Sequence, residues 1–108
     1  MNFKTHNKMK ENEFWETAGG TCLQGYVNIS YNKLLKTFGV PLPGDGYKVD
    51  AEWEIIFEDG TSATIYNYKD GINYNGKNEG IPTRKIKEWH VGGNSEKAVE
   101  LVLKTLAE

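Results

Sequence analysis

Cysteine is nearly missing: Cys22 is the only one in 108 residues. One thiol closes no internal disulfide and leaves no partner for a thiolate-rich zinc site, so two common staples of small domains are excluded. Cys22 reads as a small, half-buried strand side chain. Long apolar runs are also lacking. No stretch reaches the ~18 residues needed to span a bilayer, and the opening MNFKTHNKMKENEF holds no apolar signal core. The expectation is a cytoplasmic protein with no membrane partner.

Neither sign of charge dominates: 13 basic residues face 15 acidic ones, with a net charge of -2 and a pI near 5.7. General attraction to a nucleic acid backbone is therefore not supported, and nucleic acid is not expected as a partner. Histidine is restricted to His6 and His90. Nucleophilic catalysis needs a nucleophile beside a base and an orienting group, and neither histidine stands in such a pattern. GDG within PLPGDGYK is too short to be a calcium loop. The residues thus point to no catalytic set, no metal site and no cofactor.

What is present suits a packed domain. Hydrophobic residues make up 38% and charged residues 26%, against the pattern of a disordered chain. Residues 1–18 form a polar N-terminal segment, either frayed or a short helix over 8–17 with Met9, Phe14 and Trp15 as apolar anchors. Residues 19–108 read as one α+β domain. TCLQGYVNI predicts a first strand. Ser30 is an N-cap for SYNKLLKTF, with Tyr31, Leu34, Leu35 and Phe38 on one stripe and Gly39 as its stop.

KVDAEWEIIFEDGTSATIYNYK predicts a β-hairpin, since Val49, Ala51, Trp53, Ile55 and Phe57 alternate with Asp50, Glu52 and Glu54. A two-residue Asp59-Gly60 turn would pair Phe57 with Ser62 and send Ala63 and Ile65 to the acidic face. A three-residue turn with Gly60 as a left-handed bulge instead pairs Phe57 with Thr61, Ile55 with Ala63 and Trp53 with Ile65. Only this register gathers the apolar residues on one face, so it is the expected one. The other face then carries Asp50, Glu52, Glu54, Ile56, Ser62, Thr64, Tyr66 and Tyr68. It is either a solvated sheet surface or a recognition surface, with Glu52, Glu54, Tyr66 and Tyr68 as candidate protein contacts.

KDGINYNGKNEGIP reads as a long surface loop, and RKIKEWHV as a last strand with Ile86, Glu88 and His90 on one face and Lys85, Lys87, Trp89 and Val91 on the other. The stripe Ala98, Val99, Val102, Leu103 and Leu106 predicts a C-terminal helix covering one side of the sheet. Gly92-Gly93 before that helix is a candidate anion site, with Lys69 and Arg84 for phosphate and Tyr66, Tyr68 or Trp89 for base stacking. The architecture expected is α+β: a small antiparallel sheet of strand, hairpin and strand, a short helix after the first strand, and the C-terminal helix on one face.

The blocks QGY, YNKLLKTFGVP, GDGYKVDAEWEIIFEDG, ATIYNYKDG and EWHVGGNSEKAVELV, spanning residues 20–103, resemble a family of small phage and prophage accessory proteins of unassigned function. A fold-level similarity to the small repeat of β-lactamase-inhibitor proteins accompanies it. The phage resemblance implies a counter-defence protein made in the bacterial host. It implies a non-enzymatic binder of either a bacterial defence protein or a nucleotide second messenger. A homo-oligomer, a structural phage accessory role, and an enzyme acting on a small phosphorylated ligand through His90 are the alternatives.

Overall fold

The computed structural model describes residues 2–5 and 21–108. In chain order the elements are β1 (Phe3–Thr5), β2 (Cys22–Asn28), α1 (Tyr31–Phe38), β3 (Glu52–Phe57), β4 (Ser62–Tyr66), the short α2 (Ile72–Asn75), a 3-10 turn (Thr83–Lys85), β5 (Glu88–Gly93) and α3 (Lys97–Ala107). The strands form one antiparallel sheet in the order β1-β3-β4-β5-β2, and α3 packs across β2, β5 and β4. The α+β class and the C-terminal helix on one face are as expected.

Local chemistry explains the elements. Ser30 Oγ accepts from the Lys33 N–H at 3.2 Å and starts α1, while Gly39, at φ 86°, ends it with its N–H on Leu35 O. In the hairpin, the Phe57 N–H donates to Thr61 O at 2.8 Å, Gly60 sits at φ 89°, and Ile55 faces Ala63 as Trp53 faces Ile65. The three-residue turn is thus the one adopted. Burial of one apolar face selected the register.

The core lies between that face and the helices. Trp53, Ile55, Phe57, Ala63, Ile65, Trp89 and Val91 from the sheet meet Leu34 and Phe38 of α1 and Ala98, Val102 and Leu106 of α3. The two central indoles pack edge to face at 5.4 Å. Each satisfies its N–H on a main-chain carbonyl, Trp53 on Gly39 O and Trp89 on Ile29 O. Glycines let the helix come close: a Cβ on Gly93 would stand 2.6 Å from Ala98 Cβ and 2.6 Å from Ser62 O.

Three expectations change, and a fourth is not reached. Phe3–Thr5 is not a frayed end but an edge strand, its Phe3 ring 5.2 Å from Phe38 and 6.1 Å from Phe57. The helix expected over 8–17 lies outside the described residues. The last strand runs Glu88–Gly93 rather than 84–91, because Pro82 and the residues after it close a 3-10 turn first. Gly92 and Gly93 are consequently inside the ladder, flanked by β4 and β2, and are not free donors at a helix start.

Candidate functional site: a tyrosine strip on the open face of the sheet

Alternation along the strands puts one cross-strand row on the face away from α1 and α3: Glu52, Tyr66, His90 and Tyr26, on β3, β4, β5 and β2. Here the His90 ring lies 4.8 Å from Tyr26, 5.4 Å from Tyr66 and 5.5 Å from Tyr68. Lys69 extends this cluster, with its Nζ 5.4 Å from the Tyr68 ring and 5.6 Å from that of Tyr74. Tyr74 in turn packs on Tyr47 at 5.2 Å, and Lys48 Nζ lies 5.8 Å from the Tyr47 ring. The result is a continuous strip of five tyrosines and one histidine, linked by an ammonium group within cation–π range. Tyr26 and Tyr47 are each 56% exposed, and Tyr68 and Tyr74 40% and 38%.

The strip sits where β4 leaves the sheet and β5 enters it. The connection between them, residues 67–87, carries Lys69, Lys77, Arg84, Lys85 and Lys87 against Asp70 and Glu79. All five cations are exposed. In a chain of net charge -2, this connection is itself cationic.

The acids behave otherwise. Glu54 is only 5% exposed and Glu52 is half-buried. Burial, reinforced by the neighbouring Glu54 carboxylate, pushes the Glu52 carboxyl up to about 7, and burial likewise raises Glu54. Tyr66 is raised by burial first and by Glu52 next. Far from a solvated acid stripe, the pair is withdrawn from water, and only Glu52 keeps partial exposure.

The structure therefore brings together Tyr66, Tyr68 and Lys69 of the candidate residues. It sends Trp89 into the core at 0% exposure, where the indole cannot stack on a ligand. Gly92 and Gly93 hold strand positions, and Arg84 stands exposed on the 3-10 turn, which packs against α1. Tyr26, Lys48, Tyr47 and Tyr74 were absent from the candidates. Tyr26 was legible, since it shares the outward parity of its strand, whereas loop packing joins Tyr47 to Tyr74 with no periodic signal.

Among the described residues, His90 is ringed by aromatic side chains, with Glu88 two residues before it on the same face of β5. Its nearest ring neighbours are tyrosines, and Glu52 stands two strands away, about 10 Å by strand spacing, with Tyr66 between. Among the described residues no three His, Cys, Asp or Glu side chains cluster closely enough to hold a metal ion, and no helix is long and apolar enough to cross a membrane. No known protein family and no curated protein matches the chain.

Proposed function

We propose that the chain is a non-enzymatic binding protein that takes a phosphate-bearing aromatic ligand, of the nucleotide class, along the tyrosine strip. One observation carries this reading: Lys69 Nζ stands between the exposed rings of Tyr68 and Tyr74 at 5.4 and 5.6 Å. Ring faces offer stacking for a base while the adjacent ammonium group meets a phosphate, the combination that serves nucleotide and single-strand binding. The cationic 67–87 connection supplies further attraction from the same end of the sheet.

The resemblance to small phage proteins extends the proposal. The ligand would be a nucleotide second messenger of a bacterial defence system, sequestered unchanged in the host cytoplasm. Capture of a host defence protein is the second reading, favoured by Tyr26, Tyr47, Tyr68 and Tyr74 forming an open surface rather than a closed cavity. Glu54, expected among the protein contacts, is not part of it, because its side chain is buried.

Isothermal titration with a panel of adenine and guanine mononucleotides and cyclic dinucleotides tests the first reading, with mass spectrometry of the recovered ligand. At least one should bind and return intact, and Lys69→Glu and Tyr68→Ala should each weaken it about tenfold or more. Binding by none of the panel would overturn the nucleotide reading, and a chemically altered ligand would make the protein an enzyme.

A further inference from the structure

β2 is the terminal strand of the sheet, and no described residue pairs with its outer edge. The Ile29 N–H donates to Lys87 O at 2.8 Å, which points position 29 toward β5. Main-chain groups alternate in direction along a strand. Gly25 and Val27 therefore face β5 too, while the N–H and C=O of Tyr26 and Asn28 point out of the sheet. Seven residues long, β2 offers a longer edge to another strand than the three-residue β1 at the opposite side of the sheet, which carries Lys4.

Natural edge strands are blunted by charge, by proline or by bulges. Residues 21–30, TCLQGYVNIS, contain no charged residue and no proline, in a chain that is 26% charged. Among the described residues, the one blunting device is the irregularity between Leu23 and Gly25, which leaves Gly25–Asn28 regular. An uncharged strand meets its own copy without repulsion, and identical partners are the commonest way for soluble proteins to close an interface.

We propose that β2 pairs antiparallel with β2 of a second copy of this chain, about a twofold axis at Val27. This register sets Tyr26 opposite Asn28 of the other copy and Asn28 opposite its Tyr26, so the outward main-chain groups of the regular segment bond each other. The symmetry axis stands perpendicular to the sheet, so both open faces lie on one side. Two tyrosine strips then meet at their Tyr26 ends and form one surface across the dimer.

Sedimentation equilibrium over a wide concentration range, joined to amide exchange by NMR, tests this. A dimer is expected, with the Tyr26 and Asn28 amides gaining protection as concentration rises while Val27 stays protected throughout. Asn28→Pro removes one outward N–H that the monomer does not use, a substitution edge strands tolerate, and should raise the dissociation constant about tenfold or more. Should that variant not fold, Asn28→Lys applies the same test by placing two like charges across the axis. A monomer at every concentration overturns the proposal. So does a dimer whose Tyr26 and Asn28 amides exchange freely, or one indifferent to a folded edge variant. Nucleotide titration of the monomeric variant reads the strip separately, so failure of the dimer and failure of the ligand assignment are distinguishable.

Discussion

Asp50 and Asn67 hold each other twice: Asn67 Nδ2 donates to Asp50 Oδ1 at 2.8 Å, and the Asp50 N–H donates to Asn67 Oδ1 at 2.8 Å. The same Oδ1 accepts from the Ala51 N–H, and the same Nδ2 reaches Asp70 Oδ1 at 2.9 Å. Asp50 Oδ2 then accepts from the Asn73 N–H at 3.1 Å. One buried amide thereby ties the approach to β3, the exit of β4 and the loop carrying Lys69 and Tyr74. The strip is held in place from below.

Replacing Asn67 by aspartate keeps the shape and reverses the chemistry. The two donors are lost and a third carboxylate is set against Asp50 and Asp70. Asn67→Asp should cost about 3–5 kcal/mol in chemical denaturation at neutral pH. Asn67→Ala, which leaves the Asp50 and Ala51 N–H groups without their acceptor and the Asp50 and Asp70 carboxylates without a donor but adds no charge, should cost about 2–4 kcal/mol. Denaturation curves for Asn67→Asp matching the unsubstituted protein would mean that the network does not hold the loop.

Core and strip should separate under truncation. Trp53 is fully buried and donates its indole N–H to Gly39 O at 2.7 Å, so Trp53→Ala should cost about 3–5 kcal/mol. Tyr68 is exposed against His90 and Lys69, and Tyr68→Ala should change stability by less than about 1 kcal/mol. Equal losses in the two unfolding midpoints would place Tyr68 in the structural core and remove it from the proposed recognition surface.

The difference between hairpin and loop explains how much the sequence discloses. Trp53, Ile55, Ala63 and Ile65 alternate over two strands, and only the three-residue turn gathers them on one face, so that register follows from pattern alone. Trp89 was harder. It shares a stretch with three lysines or arginines, and only the later start of β5 shows that its parity belongs to the core. Burial of Glu54 and the meeting of Tyr47 with Tyr74 had no local signature. The second joins residues 27 apart in the chain, a pairing that periodicity does not record.

Glu52 makes stability depend on pH in a direction opposite to most carboxylates. Its proton is held up to about pH 7 in the folded state, against 4.5 when unperturbed. Below that lower value both states are protonated; between the two only the folded state is, so stability falls as pH rises through this window. The full loss is on the order of 2–3 kcal/mol. Glu52→Gln retains a donor toward Glu54 without a titrating group, so it should flatten this part of the profile and raise stability at pH 8. A variant with the same pH slope as the parent between pH 5 and 7.5 would assign the effect elsewhere.

Gly93 was a candidate for phosphate contact, and its surroundings give it a structural task instead. A Cβ there would meet Ala98 Cβ on α3 and Ser62 O on β4, each at 2.6 Å, and the second is main chain that cannot turn aside. Strand and helix must therefore part for any larger residue to fit. Gly93→Ala should cost about 1–3 kcal/mol or somewhat more, as overpacking of a close-packed core does. Ligand affinity per folded molecule should stay unchanged, since Gly93 lies on the helix side of the sheet, opposite His90 and Tyr66. Gly92→Ala differs: its Cβ would stand 2.6 Å from Thr64 Oγ1 and 3.6 Å from Tyr66 Cε1 on the open face, so it should disturb the strip as well as stability. Titrating both variants under conditions where each is fully folded checks this. Loss of nucleotide binding in Gly93→Ala with unchanged stability would return Gly93 to the ligand and refute its role as the seat of α3.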